Sequence, residues 1–214
     1  MQLIFHDRAE AARMLAEKME WLRKEKPVIL AIPRGGIVTG DIIATALDAK
    51  LDVVVPRKLG APYNPELAIG AVMHDGSYFL NTDVIAMLNV PKEYIDAEIA
   101  SQMKEIERRL VLFRSSKEYD LGGKTVVVVD DGIATGATMF AAIQWVKEQK
   151  PKKLIVAVPV GPIDTIDRLR QVVDEVIVIS SPIFFGAVGE FYQDFTQVSD
   201  SQVQEIMRKH GHKV

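Results

Sequence analysis

Cysteine is absent from the 214 residues, which excludes disulfides, thiolate metal ligation and a cysteine nucleophile. No apolar run approaches the roughly 20 residues that a membrane-spanning helix needs. A large charge of one sign is missing too. The formal net charge is -3, so composition gives no electrostatic case for nucleic-acid binding, a local basic patch excepted. The opening MQLIFHDRAEAARML turns charged by Asp7 and does not read as a signal peptide. There is no repeat and no low-complexity tract. What remains is the composition of an ordinary soluble globule, 48% hydrophobic and 26% charged, long enough to bury a substantial core. A single cytoplasmic domain over 1–214, with no nucleic-acid or membrane partner, is expected.

The chain is organised around residues 125–138, TVVVVDDGIATGAT. TVVVV reads as a strand buried on both faces, the mark of a parallel sheet. The following MFAAIQWVKEQ sets Met139, Phe140, Ile143 and Val146 at helical spacing. The polar residues between them are therefore a strand-to-helix turn at a strand's carboxyl end, the edge where open α/β sheets bind ligands. Gly136 lets the backbone approach a ligand, and the amides around it open a helix, which suits a phosphate. The hydroxyls of Thr135 and Thr138 add donors for the same oxygens. Ionised Asp130 and Asp131 only accept hydrogen bonds, so they suit sugar hydroxyls or a hydrated cation. Together these groups describe a sugar phosphate with Mg²⁺ nearby.

Rival assignments of this turn fit less well. A plain helix cap needs fewer acids, threonines and glycines than the turn has. A P-loop needs a Lys after its second glycine, and none follows here. A receiver-type phosphoacceptor domain needs further Asp and Lys residues at later strand ends. Those ends read VAVPVG and VIVISSP.

VVVVDDGIATGAT resembles the ribose-phosphate motif of type I phosphoribosyltransferases, which bind 5-phosphoribosyl 1-diphosphate (PRPP). The resemblance implies that Asp130 and Asp131 hold the ribose 2- and 3-hydroxyls and meet Mg²⁺ indirectly, through PRPP and water. Ala134, Thr135, Gly136, Ala137 and Thr138 would cradle the 5-phosphate. A second strand-to-helix turn, AIPRGGIVTGDIIATAL, carries Arg34, Gly35 and Gly36, a cationic fork and backbone freedom beside another helix start. In the resembling family this place binds the diphosphate and often contains a non-proline cis peptide, for which Gly35 is suited. Arg57 and Lys58, read as the end of the strand LDVVVP, would neutralise the departing diphosphate.

Further stretches complete the expected architecture. Asp7 can cap an N-terminal helix with Ala11, Met14, Leu15, Met19 and Leu22 along one stripe, ending at Lys26-Pro27. Pro62 and Pro65 mark an irregular loop, with Glu66 a candidate base, and AIGAVMH-DG-SYFLN reads as a hairpin in which His74 is structural. In the family such a loop closes over the reaction and excludes water. Residues 91–118 read as a long helix whose charged face, with Arg108, Arg109 and Arg114, is expected in solvent. KLIVAVPVG and EVIVIS add strands around a helix from Ile163 to Val173, and Ser199 caps a terminal helix ending in a mobile tail with His210 and His212. Alternating strands and helices predict an α/β fold, a parallel sheet of about five strands flanked by helices. The core spans about 27–57 and 120–181. A small hood comes from the hairpin region (58–81) and the C-terminal segment (182–200). There Phe185 or Tyr192 could stack on a planar acceptor.

The implied reaction moves the 5-phosphoribosyl group from PRPP to a nitrogen acceptor, a nucleobase by analogy, and releases diphosphate. Asp130, Asp131, Arg34 and Lys58 form its catalytic set, and positioning and electrostatics carry the rate. Enzymes for 6-oxopurines carry an Asp before the Thr-Gly of this loop. Ala134 stands there and disfavours that class. A PRPP-sensing regulator without transferase activity is the alternative. Dimers are common in the family, so a homodimer is expected.

Overall fold

A computed structural model describes residues 4–114, 116 and 118–214, and of Glu66 the backbone alone. Leu3 of the opening apolar piece and the side chain of the candidate base Glu66 lie outside the described residues. TVVVV forms strand β6 (Thr125–Val129), buried at every position. Its side chains alternate between two cores as a strand's period of two requires. Val127 and Val129 join one cluster with Ile29, Ile43 and Leu47, while Val126 and Val128 join another with Phe140, Ile143 and Ile166.

The parallel sheet has five strands in the order β2 (Lys50–Val53), β1 (Val28–Ala31), β6, β7 (Lys153–Val160) and β8 (Glu175–Ser180). Helices α1 (Arg8–Lys18) and α2 (Gly36–Leu47) supply one cluster, and α5 (Ala137–Glu148) and α6 (Ile163–Arg170) the other. This is the α/β architecture expected, a five-stranded parallel sheet flanked by helices. From β1 the chain moves outward to β2, and from β6 it moves the other way to β7 and β8. The order reverses between β1 and β6, where a crevice opens at the carboxyl edge. Ala31 pairs with Val129, so the turns that follow both strands stand side by side.

The segment read as an irregular loop is ordered sheet. β3 (Arg57–Ala61), β4 (Asn64–Val72) and β5 (Tyr78–Leu80) form an antiparallel sheet, and only Pro62 and Tyr63 separate β3 from β4. Arg57 and Lys58 open β3 rather than close β2. The Asp75-Gly76 hairpin turn lies where expected, between β4 and β5, with His74 beside it.

Three further expectations need correction. α1 stops at Lys18 and hands over to a 3-10 turn, Glu20–Glu25, with Leu22 buried. Between β5 and β6 lie α3 (Thr82–Met87) and the long helix α4 (Lys92–Phe113), which ends short of residue 118. Arg114 leaves the helix in extended backbone. It is not solvated: Arg114 pairs with Asp52 through bonds of 2.7 and 2.8 Å, at side-chain exposures of 5% and 4%. Arg109, whose Nε donates to Glu105 at 2.8 Å, is also largely covered, whereas Arg108 is exposed. The tail after α7 (Asp200–Lys209) is anchored: His210 Nε2 lies 2.7 Å from Asp41 and His212 Nε2 lies 2.9 Å from the Leu51 carbonyl. Ser199 and Gln202 form the capping box that starts α7. Among the described residues no helix is long and apolar enough to cross a membrane.

Candidate active site at the switch point

Two helices open onto the crevice, and neither has a side-chain cap. α2 starts after Gly35 and α5 after Gly136, with no side-chain hydrogen bond to either first turn. At α2 the Ile37 and Val38 amides donate to the Arg34 and Gly35 carbonyls at 3.2 Å, so the positive dipole end is the main attraction for an anion there. At α5 the leading amides can add hydrogen bonds to the dipole. Gly136 has φ 79, a left-handed conformation that costs glycine nothing. Gly35 meets a different requirement. A Cβ there would collide with Oδ2 of Asp131, so the acidic turn packs directly onto the basic one. The cis peptide is Pro33–Arg34, one bond ahead of the place suggested for it.

A cavity of about 170 Å³ lies over the acidic turn. It is lined by Asp130, the loop from Gly132 to Thr138, and Lys58 reaching in from β3. Ala134, Thr135, Gly136, Ala137 and Thr138 therefore share one wall, and a lysine charge faces them. Lys58 was grouped with the diphosphate turn on sequence grounds; here it lines the cavity of the other turn. Arg57 faces α4 instead, where its Nε donates to Gln102 Oε1 at 2.9 Å. Burial, aided by the charge of Arg109, holds its pKa below the ordinary value.

Arg34 points to the C-terminal helix. Its Nη1 lies 3.4 Å from Asp200 Oδ1, while Arg108 Nη2 lies 3.4 Å from Asp200 Oδ2. Asp200 thus links the basic turn to α4. One turn of helix away, Arg108 and Arg109 share Glu105, whose pKa is pushed down to about 2 by those two partners.

The two acids of the turn differ sharply. Asp130 is half-buried and lines the cavity; burial, then the charge of Asp131, raises its pKa well above the usual carboxylate range. Asp131 turns away and accepts from Arg8 Nε at 2.6 Å. Sequence reasoning missed Arg8, which lies 123 residues from its partner. One weak signal existed: the first position of a helix favours acids, and α1 begins with an arginine. Phe195 was missed as well, and its ring lies 3.8 Å beneath the Arg8 guanidinium.

The aromatic candidates have other neighbours. Tyr192 is 6% exposed, packs against Phe5 and Phe195, and donates its hydroxyl to the Asp131 carbonyl. Little of its ring is open to an acceptor in this arrangement. Phe185 stacks on Phe191 at 5.0 Å between centroids and remains partly exposed.

The sequence profile of the phosphoribosyl transferase domain matches residues 64–196, which include the acidic turn and most of the hood. The chain belongs to this family. Two curated proteins from strains of Mycobacterium tuberculosis, provisionally named phosphoribosyl transferases, are each 42% identical over 201 residues, 94% of this chain and 45% of theirs. The chain thus spans about half the length of the curated relatives it matches. The crystal structure of TT1426 from Thermus thermophilus is 39% identical and superposes with a TM-score of 0.80, covering 97% of this chain and 99% of that one. For a phosphoribosyl transferase domain, then, the basic turn at Arg34 precedes the segment matched by the family profile. That turn is tied to the acidic one by the β1–β6 register and by the Gly35–Asp131 contact.

Proposed function

We propose that this domain transfers the 5-phosphoribosyl group of PRPP to a nitrogen acceptor, a nucleobase by preference, and releases diphosphate. The observation that carries the reading is the pairing of two uncapped helix starts, one acidic and one basic, at the reversal of strand order. The loop Ala134–Thr138 and Lys58 take the 5-phosphate, because a cavity with amide, hydroxyl and ammonium donors suits a dianion. Asp130 and Asp131 accept from the ribose hydroxyls. Arg34, Gly35 and Gly36 take the diphosphate, with Arg57 adding charge from the far side. As the bond from the anomeric carbon to diphosphate breaks, negative charge grows on the leaving group and positive charge on the ribose. Cations at one turn and carboxylates at the other are preorganised for that separation.

Mg²⁺ is the cofactor that this reading carries with it. Among the described residues no group of three or more His, Asp or Glu side chains forms a cage. The chain's donor set therefore suits an ion held mainly by phosphates and water, with Asp130 the cavity-lining carboxylate. Such an ion supplies charge neutralisation on the diphosphate. Ala134 argues against 6-oxopurine acceptors. Phe185, partly exposed beside Phe191, is the aromatic offered to an acceptor, and Tyr192 serves the site by supporting Asp131.

A PRPP sensor that binds without transferring is the second reading, favoured by the engagement of Asp131 with Arg8. Incubation with PRPP, Mg²⁺ and a panel of bases and amines separates the two. Diphosphate release that depends on the acceptor is expected. PRPP binding with no release for any acceptor would leave the sensor.

A further inference from the structure

Two protein groups hold Asp131 from outside the crevice. Arg8 Nε donates to Oδ2 at 2.6 Å, and the Tyr192 hydroxyl donates to the Asp131 backbone carbonyl at 2.5 Å. On the opposite side the carboxylate fills the space that a Gly35 side chain would take. Arg8 is itself fixed: Nη1 donates to the Thr196 carbonyl at 2.8 Å, and the guanidinium stacks on Phe195. The segments that carry these groups are zipped together. Phe5 N donates to the Phe191 carbonyl at 2.8 Å, Gln193 N to the Phe5 carbonyl at 2.9 Å and Asp194 N to the His6 carbonyl at 2.8 Å.

Resting on the PRPP reading, we propose that Arg8 is a positioning residue, which presses the Asp131 carboxylate against Gly35 and ties the spacing of the two turns to the segment 191–196. The chemistry favours this over a purely structural ion pair. Side-chain exposures are 11% for Arg8 and 13% for Asp131, so both charges have given up most of their water. A pair that buried stabilises a fold little compared with apolar packing, but it fixes orientation when the fork is held at two points. Arg8 is held that way, by a carboxylate and a backbone carbonyl. A carboxylate offers about four lone-pair directions, and a single Nε donor occupies one of them. Asp131 can therefore be aimed by Arg8 and still accept from a ligand.

The division of labour within the acidic pair follows. Asp130 lines the cavity, and its Oδ1 accepts from the Asp131 amide at 2.8 Å. Both acids pack on the basic turn, Asp130 at Gly36 through its Cα and the Oδ1 held by the Asp131 amide, and Asp131 at Gly35 through its carboxylate alone. The orientation of the Asp131 carboxylate therefore bears on how far apart the ribose and diphosphate ends lie. Arg8 controls that orientation from α1.

The test compares wild type, Arg8→Gln and Arg8→Lys by calorimetric titration with PRPP and Mg²⁺, with the Tm of each protein. Arg8→Gln is expected to weaken PRPP binding by about tenfold to a hundredfold, the usual effect of losing a group that orients a ligating one. Arg8→Lys recovers part of the loss, because an ammonium keeps the charge but not the two-point fork. In transfer assays the loss falls on KM rather than kcat. Wild-type affinity in Arg8→Gln, with only a lowered Tm, overturns the proposal. If Arg8→Gln does not fold, Arg8→Lys decides: weakened binding at near-normal Tm supports positioning, and unchanged binding overturns it. A crystal structure of Arg8→Gln or Arg8→Lys with the Asp131 carboxylate swung away from Gly35 supports the proposal, and an unmoved carboxylate overturns it. Failure of the wild type to bind PRPP would remove the proposed function, while the carboxylate's position in those crystals would still decide the role of Arg8.

Discussion

The two turns at the carboxyl edge share one backbone device and carry opposite charge. Each follows a central strand, passes through glycine and opens a helix without a side-chain cap. At the acidic turn the loop encloses a cavity with Lys58, whereas at the basic turn Arg34 reaches outward to Asp200 on α7. The difference teaches that helix starts supply general anion affinity, while side-chain charge decides which end of a substrate each receives. It also separates enclosure from exposure: one turn walls a cavity, and the arginine of the other is held by the Asp200 carboxylate, which on the proposed reading a diphosphate would displace.

The largest effect expected bears on stability alone and serves as a control on that comparison. Arg114→Met removes one partner of a buried pair that lies outside both turns and leaves Asp52 uncompensated. A loss of about 3–5 kcal/mol is expected in denaturant unfolding, with PRPP affinity retained in the folded protein. A parallel loss of affinity would mean that the turns are not independent of that core. Next comes Gly35→Ala, whose new methyl displaces Asp131 and so spoils both turns at once. PRPP binding should fall on the order of a hundredfold, about 3 kcal/mol by titration. A change below threefold would show that the turns do not depend on their contact.

Within the acidic turn, Asp131→Asn and Thr135→Ala should each weaken PRPP binding by about tenfold, the scale of a hydrogen bond to a charged group. Normal affinity in both would break the assignment of that turn. The basic turn gives the smaller and opposite effect. Asp200→Asn removes an anionic competitor for Arg34 and should tighten diphosphate binding about threefold, as befits a partly exposed pair at a long 3.4 Å. Weaker binding would instead make Asp200 part of the site.

The raised pKa of Asp130 gives the comparison a pH dependence. A carboxyl whose folded pKa lies above its ordinary value of 3.8 favours folding below that value, and the advantage is lost as pH rises through the folded pKa. Ionised Asp130 is therefore a stability cost at neutral pH, which the proposed ribose-binding role would explain. Asp130→Asn should raise Tm by a few degrees at pH 7, and the gain should vanish below pH 3.8. An equal gain at both pH values would assign the effect to packing rather than charge.

Local pattern made much of this legible in advance. The run TVVVV needs two apolar faces, and the sheet supplies them. Ser199 with Gln202, Asp7 before α1, and Asp75-Gly76 act within a few residues of themselves, so the chain order displays them. The acidic turn was readable for the same reason. Contacts made by folding were not. Arg8 with Asp131, Arg114 with Asp52 and His210 with Asp41 join residues far apart in sequence, and nothing local marks an arginine as paired rather than solvated. Pro62 and Pro65 suggested irregular backbone, yet the bulged pairing of β3 with β4 accommodates them, with register shifts on both sides of Gly60. That Lys58 lines the cavity of the acidic loop was not legible, because the antiparallel sheet folds over that loop and its sequence position next to Arg57 does not reveal it.

The central claim is that the two turns hold the two ends of one PRPP molecule. A crystal structure with PRPP and Mg²⁺ tests it directly. The expected result has the 5-phosphate on the amides of 134–138 beside Lys58 and the diphosphate on Arg34–Gly36, with Asp200 displaced. A 5-phosphate bound elsewhere, or a diphosphate that leaves the Arg34–Asp200 pair intact, would contradict the account.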